Sequence, residues 1–268
     1  DTILGRNIVS RMIWGLLKKR RRKRITDAPF PDVWREILDR NVPFQRTLPE
    51  EYRRRLEKSV QILIGEKNFE GCGGLRMTDE IRVTIAGHAA CLLLGHDFDY
   101  FPRLRSVLVY PSIFLVSGPE VDEDGTLYEG EDEHAGESWT IGAVVLAWDE
   151  VLKGGQRGSD AYNVVLHEFA HQLDAEVTGM DGWPELDTNE LMDRWAEVMN
   201  RNYTRIDRDH RRGRRTTLDP YALENAAEFF AVATETFFEA GQMLKTRAPD
   251  LYALLRDFYR YDPVEPSA

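Results

Sequence analysis

The spacing of apolar residues predicts a mainly helical first part of the chain, over residues 25–100. Residues 33–64 show helical spacing that is interrupted at two prolines. Residues 79–95 form a second helical segment, which Thr78 is suited to cap and which becomes wholly apolar toward its end. We therefore expect helices to pack together before the first strand begins.

Runs of strand length follow this helical part. Residues 105–110 and 112–116 are rich in β-branched and aromatic residues, and residues 142–148 (Gly-Ala-Val-Val-Leu-Ala-Trp) give the strongest strand pattern. The strongly acidic segment between them, residues 119–140, predicts a solvated loop. These strands predict a small twisted sheet.

The second half of the chain returns to helical spacing. A largely apolar helix is predicted over residues 163–174, with Ser159 or Asp160 as its cap. The very basic residues 205–217 predict a loop. Further helices are predicted at 187–201, 222–238 and 247–261. Together with the strands, this pattern predicts an α+β fold with one domain over residues 25–268.

The amino-acid composition predicts one sizeable hydrophobic core, and the cysteine content predicts a cytoplasmic location. The chain has 268 residues, of which 42% are hydrophobic and 30% charged. No apolar run reaches the roughly 20 residues that span a bilayer. Cys72 and Cys91 form neither a disulfide framework nor a pair with metal-ligand spacing. We therefore expect a reducing, cytoplasmic location.

Charge is distributed unevenly between residues 1–24 and the rest of the chain. Residues 1–24 contain nine Lys/Arg and one acidic residue, which leaves 26 basic and 45 acidic residues and a net charge of −19 elsewhere. This acidic body argues against nucleic acid as a direct partner. The pattern of residues 1–24 is that of a basic amphipathic arm. It predicts weak contact with an anionic membrane or an acidic partner. The alternative is a solvated, frayed terminus.

The segment His167-Glu168-Phe169-Ala170-His171 carries the clearest chemical signal. On a helix, two histidines at this spacing lie on one face and can bind one Zn²⁺. Glu168, beside the first histidine, is placed to act as a general base. Because positions 174 and 177 hold Asp and Val, the third histidine of the metzincin pattern is excluded. We expect a later glutamate as the third ligand.

Two glutamates are candidates for this third ligand. Glu190 is at a separation similar to that in thermolysin-like enzymes, but its predicted helix is polar and a surface carboxylate explains it. Glu228 lies within the apolar run Ala226 to Val232, where a lone carboxylate would be costly to bury unless it were paired or bound to metal. We therefore favour Glu228 over Glu190.

Three further residues are predicted to support the metal site. Tyr221 lies seven residues before Glu228, which on one helix would be two turns on the same side, and its hydroxyl could donate to an oxyanion. Glu235 lies two turns beyond Glu228 and is either a supporting residue or a polar position. Asp174 either holds a ligand imidazole or is a surface acid at a helix end.

Other possible ligands have simpler explanations. His88 and His96 are expected to be surface histidines or core histidines with satisfied hydrogen bonds. In the acidic segment, Asp122 and Asp124 suggest a calcium loop, but the following acids do not keep its register. We expect neither set to bind a metal.

Taken together, these residues resemble the family of Mlc titration factor A zinc peptidases. The resemblance covers roughly residues 48–262. It is carried by the segments 71–75, 90–95, 107–111, 137–139, 145–148, 167–174, 219–221 and 224–231.

The resemblance implies a zincin-like (gluzincin) fold related to the catalytic domain of anthrax lethal factor. It implies His167, His171 and Glu228 as zinc ligands, Glu168 as base and Tyr221 as oxyanion donor, with peptidase activity often of aminopeptidase type. It also implies binding of the repressor Mlc, which controls sugar phosphotransferase genes. The longer segment after Asp174 and the arm at 1–24 depart from the family pattern. The alternative is a non-enzymatic regulatory protein that titrates a transcription factor.

Overall fold

The computed structural model describes residues 15–95, 99–112, 114–121, 127–134, 136–140, 142–156, 161–176 and 181–266. The helices are α1 (15–26), α2 (Asp32–Asn41), α3 (Glu50–Glu66), α4 (Asp79–Cys91), α5 (Trp148–Gln156), α6 (Val164–Asp174), α7 (Asn189–Arg211), α8 (Ala226–Glu239), α9 (Gly241–Arg247) and α10 (Pro249–Tyr259). Short 3₁₀ turns lie at Pro43–Thr47 and Pro220–Leu223. The strands are β1 (Asn68–Gly71), β2 (Ser106–Tyr110), β3 (Phe114–Val121), β4 (Leu127–His134), β5 (Gly136–Thr140) and β6 (Ala143–Ala147).

Helices surround a small mixed sheet, which confirms the predicted α+β class. The sheet has the order β1-β2-β6-β5. Strands β1, β2 and β6 are parallel, whereas β5 runs antiparallel to β6 at one edge. Because β6 is buried from Val144 to Ala147, it lies between layers on both faces, as parallel strands usually do.

The elements with the strongest patterns form where they are predicted. Strands β2 and β6 match the strands predicted over residues 105–110 and 142–148, and β3 overlaps the end of the one predicted over 112–116. Helix α4 begins directly after Thr78, whose side chain accepts a hydrogen bond from the backbone N–H of Ile81. Its residues from Val83 to Cys91 are all buried, which explains why this helix is apolar on every side.

The loop predicted for the acidic segment 119–140 is wrong, because most of this segment lies in strands. Strands β3 and β4 pair as a separate antiparallel hairpin, and β5 follows at once and joins the main sheet. Backbone pairing with neighbouring strands therefore outweighs the low strand propensity of the acidic residues. Asp122 and Asp124 lie outside the described residues.

Helix α7 extends to Arg211, so the predicted loop over residues 205–217 is also largely wrong. Charge is compatible with this helix because opposite charges one turn apart pair along its exposed side, as Arg211 does with Asp207 at 2.8 Å. On its inner side, Ile206 is buried in the core. The loop was inferred from the basic composition of this segment, which does not reveal its amphipathic spacing.

Helix α6 occupies the centre of the molecule and determines where the site lies. It packs against α4, α8, β5 and β6. Phe169 is buried on α6 and its ring contacts that of Phe101 edge-on, with centroids 4.8 Å apart. A buried helix that crosses a second buried helix holds their facing side chains in fixed positions.

Candidate metal centre

Helix α6 begins one residue after Asn163, not after the predicted caps Ser159 or Asp160, which lie outside the described residues. The Asn163 Oδ1 atom accepts a hydrogen bond of 3.2 Å from the backbone N–H of Leu166. Asparagine is among the best helix-capping residues, so this residue type just before the apolar run was the available signal. The cap places His167 on the first turn of α6.

His167, His171 and Glu228 converge on one point. The Nε2 atoms of the two histidines are 3.2 Å apart. The Glu228 Oε2 atom lies 3.0 Å from Nε2 of His167, and its Oε1 atom lies 3.3 Å from Nε2 of His171. Among the described residues, this is the one group of three metal-binding side chains whose ligand atoms all lie within 4.8 Å of one another.

These three side chains fit a metal ion by donor type and by spacing. Two imidazoles and one carboxylate are a common ligand set of catalytic zinc. Nitrogen atoms bound tetrahedrally to zinc at about 2.0–2.1 Å lie about 3.3 Å apart, close to the spacing of the two Nε2 atoms. The Glu228 Oε2 atom is buried without hydrogen-bond geometry to either imidazole. A buried carboxylate oxygen that lies this close to an imidazole nitrogen without a hydrogen bond suits a shared cation.

Glu228 reaches this point because it lies in the first turn of α8. The side chain of Asn225 caps α8 and accepts a hydrogen bond of 2.9 Å from the backbone N–H of Glu228. Glu190, the other candidate, is exposed in the first turn of α7 and is not part of the cluster. The structure thus brings together the residues that the sequence favours.

Glu235 contacts the far side of the first histidine. Its Oε1 atom lies 2.8 Å from Nδ1 of His167, and its Oε2 atom accepts a hydrogen bond of 2.6 Å from the backbone N–H of Asn163. Glu235 is 4% exposed, so these contacts occur in a low-dielectric interior. In the neutral ring, the form that binds a metal, this contact favours the tautomer with the proton on Nδ1 and leaves the Nε2 lone pair free on the side of Glu228 and His171.

Asp174 does not hold a ligand imidazole, and it is not a surface acid either; both interpretations are wrong. Its side chain is fully buried, and its Oδ2 atom accepts a hydrogen bond of 2.7 Å from the backbone N–H of Gly182. Burial raises the pKa of Asp174 to about 6 despite this bond. Asp174 therefore holds Gly182 close to the end of α6. The Nδ1 atom of His171 has no hydrogen-bond partner among the described residues.

Opposite charges stabilise one another within the cluster. Burial lowers the pKa of His167, but contact with Glu228 and Glu235 outweighs burial and raises it to about 10. Burial raises the pKa of Glu228, but the two histidines outweigh burial and lower it to about 2. Glu228 therefore remains a carboxylate, which is the form that binds cations.

Glu168 follows His167 on α6, and its buried carboxyl group has one oxygen without a hydrogen-bond partner among the described residues. Glu168 is 4% exposed, and the oxygen without a partner is Oε2. Burial raises its pKa to about 7, against the lowering effect of His167 and His171. A carboxyl group with a pKa near neutrality can both accept and return a proton.

Tyr221 is near the cluster, but not for the predicted reason. It lies in the 3₁₀ turn Pro220–Leu223, which Asp219 caps, and Asn225 separates this turn from α8. The single long helix predicted to carry both Tyr221 and Glu228 is therefore wrong. The Tyr221 ring centroid nevertheless lies 6.0 Å from that of His167, and the side chain is 53% exposed.

His88 is a core histidine, as expected, and His96 lies outside the described residues. The His88 ring lies between two partners, with Nε2 3.1 Å from the carbonyl oxygen of Asn41 and Nδ1 3.0 Å from Nδ2 of Asn163. Burial lowers its pKa to about 4, so the ring is neutral at neutral pH. His88 thus contacts the side chain of Asn163, the residue that caps α6.

Comparison with known proteins gives a consistent result. A model of the family described as glucose-regulated metallo-peptidase M90 matches residues 17–260. A Synechocystis protein named "Uncharacterized protein slr2042" is 38% identical over 246 residues, which cover 91% of this chain and 89% of that protein. Proteins named Mlc titration factor A from Yersinia pestis and Yersinia pseudotuberculosis are 30% identical over 236 residues, covering 86% of this chain and 85% of theirs.

Proposed function

This chain belongs to the glucose-regulated metallo-peptidase family M90, and on that basis we propose that it is a zinc-dependent peptidase that hydrolyses peptide bonds, of aminopeptidase type. The family confirms the resemblance inferred from the motifs and implies a metal ion. The choice of zinc, the roles of single residues and the zincin-like (gluzincin) arrangement are our proposal.

One observation carries this proposal. His167, His171 and Glu228 converge within metal-binding distance beside Glu168, a buried carboxyl group with an unpaired oxygen. A purely structural zinc site has no use for an adjacent base, because all its coordination positions are filled by protein. The combination of three ligands and a free base therefore favours hydrolysis.

Each side chain of the site has a distinct role in the proposed reaction. His167, His171 and Glu228 would hold the ion, which supplies Lewis acidity and a lowered water pKa when it is bound. Glu168 takes a proton from the attacking water through its free Oε2 atom and passes it to the leaving nitrogen of the peptide. Glu235 keeps His167 in the tautomer whose Nε2 atom faces the ion.

Two further features support peptide hydrolysis. The exposed Tyr221 hydroxyl can donate to the oxyanion that forms on the substrate carbonyl, and burial together with Glu228 raises its pKa, so the hydroxyl keeps its proton. Strand β5 is the edge of the described sheet beside α6, where an extended peptide can add as a further strand. A substrate strand there would lie on the β5 side of α6, the helix that carries His167 and His171.

A Glu168→Gln substitution tests the proposal. The amide keeps the size of the side chain but cannot accept the proton, so the variant should bind zinc like the wild type and lose at least about 100-fold in turnover of chromogenic aminoacyl substrates. Glu190→Gln, an exposed change of the same kind, is the matched control. Wild-type turnover by Glu168→Gln would show that Glu168 is not the base.

A second candidate function rests on the Yersinia relatives named Mlc titration factor A. By that name, this chain would bind an Mlc-like transcriptional repressor, with or without peptidase activity. Pull-down of a purified repressor by Glu168→Gln and by the wild type separates the two functions, because titration does not need the base. The location proposed for either function is the cytoplasm, which suits the two free cysteines, Cys72 and Cys91.

A further inference from the structure

Helix α1 is attached to the acidic body through one side of its surface. The Arg22 guanidinium forms two hydrogen bonds with Glu66, of 2.9 and 2.8 Å, and one of 2.7 Å with Asp99. Lys18, one turn earlier, also pairs with Asp99. One turn later, Ile25 contacts Gly65 so closely that a Cβ atom there would lie 2.9 Å from its Cδ1 atom.

The opposite side of α1 faces outward and combines apolar with basic residues. Lys18, Arg22 and Ile25 lie along one line of a helix with 3.6 residues per turn, and Arg21 beside this line donates a hydrogen bond of 2.8 Å to the carbonyl oxygen of Gly65. The other residues of this stretch point away from the body. Leu16 and Leu17 are 58% and 52% exposed. The exposed residues of this outer face are Leu16, Leu17, Lys19, Arg20, Lys23 and Arg24.

We propose that the outer face of α1 binds an anionic membrane surface. Two leucines beside four cations match a helix that lies in the interface, with apolar side chains among the acyl chains and cations at the lipid phosphates. A nucleic acid would offer the leucines no apolar region. Since residues 25–268 carry a net charge of −19, the same membrane repels the body, and the protein meets it through α1.

This contact is peripheral and electrostatic. In the part of the chain that the structure describes, no helix combines the length and the apolar character needed to cross a bilayer. Each Lys or Arg near an anionic surface contributes about 1 kcal/mol, or about a fivefold gain in binding, and the attraction is screened within a distance of about 10 Å at 0.1 M salt. Binding should therefore weaken as salt is added.

Co-sedimentation of the full chain with lipid vesicles tests the proposal. The protein should bind vesicles of phosphatidylcholine with one quarter phosphatidylglycerol and not bind vesicles of phosphatidylcholine alone. Changing Lys19, Arg20, Lys23 and Arg24 together to Gln should weaken binding on the order of 1,000-fold, since each cation contributes about fivefold. The matched control changes four exposed arginines on and after α7 to Gln and should bind like the wild type: Arg208, Arg212, Arg214 and Arg215.

A Leu16→Ser, Leu17→Ser variant identifies the partner. It should lose at least about fivefold in binding to the anionic vesicles, since both side chains would lie among the acyl chains. Anionic-vesicle binding that the leucine changes leave intact would contradict insertion of this face among the acyl chains and would show that it recognises negative charge alone. The proposal is also overturned by equal binding to neutral vesicles, by no binding at all, or by an equal loss in the arginine control. Unchanged metal content and thermal unfolding show that each variant is folded.

Discussion

The Glu235 Oε1 atom lies 2.8 Å from Nδ1 of His167, on the side of the imidazole opposite to Glu228. The other carboxylate oxygen is bound by the backbone N–H of Asn163, the residue that caps α6. One carboxylate thus connects the start of α6 with a side chain on its first turn. This contact ties the orientation of His167 to the crossing of α6 and α8.

Glu235→Gln should weaken zinc binding by about 10- to 100-fold, the usual cost of losing a residue that orients a metal ligand. An amide can present its N–H₂ group to Nδ1 and so favour the wrong tautomer of His167. Competition with a zinc chelator of known affinity measures the loss. Glu239→Gln is the control, because Glu239 bonds to Asn163 from the same helix; an equal loss there would indicate a general effect on α8.

Glu228→Gln should weaken zinc binding by about 10-fold or more, because it replaces an anionic ligand with a neutral one. Glu190→Gln removes an exposed carboxylate and should keep its metal, with a free energy of unfolding within about 0.5 kcal/mol of wild type. Elemental analysis after equal dialysis compares the two variants. Loss of zinc from Glu190→Gln alone would place the third ligand on α7.

Tyr221→Phe should keep its zinc and lower turnover by about 100-fold, the scale of losing one oxyanion donor. The ring remains near His167, so only the hydroxyl is tested. Tyr203→Phe is a useful comparison, because the Tyr203 hydroxyl bonds the carbonyl oxygen of Leu223 in the same turn without facing the cluster. If Tyr203→Phe loses as much turnover, the effect comes from the position of the turn.

Asp174 should make the stability of the metal-free protein depend on pH. Burial raises its pKa to about 6 in the fold, whereas an unfolded Asp titrates near 3.9. The folded state therefore binds the proton more tightly, and this contribution is fully present below about pH 4 and is lost as the pH rises to about 6. Relative to Asp174→Asn, the wild type should lose roughly 2 kcal/mol over this range in urea unfolding. A constant difference between the two proteins would contradict the assignment.

The sequence identifies the parts of the fold whose information is local. Helix α4 and strand β6 are apolar runs with clear boundaries, and the two histidines of α6 follow from helical spacing alone. The choice of Glu228 was also accessible, because a carboxylate in an apolar helix needs a partner. These features depend on few long-range contacts.

The rest depends on tertiary contacts that no local pattern contains. The hairpin of β3 and β4 forms from acidic segments, because each strand supplies the other with backbone partners. The 3₁₀ turn ends at Leu223 and Asn225 caps α8, so Tyr221 lies near His167 from a turn that is separate from the helix of Glu228. Asp174 has the spacing of a ligand-orienting residue, yet its carboxylate accepts a hydrogen bond from the backbone N–H of Gly182, which lies later in the chain. In each case the partner comes from elsewhere in the sequence.

The zinc content of purified protein tests the central claim most directly. Wild type and His210→Ala, which removes an exposed histidine of α7, should each hold about one zinc ion per chain, whereas His171→Ala should hold almost none. The reason is that His171 supplies one of three ligands and His210 lies outside the cluster. Zinc retained in full by His171→Ala, or absent from the wild type after zinc loading, would contradict a metal centre formed by His167, His171 and Glu228.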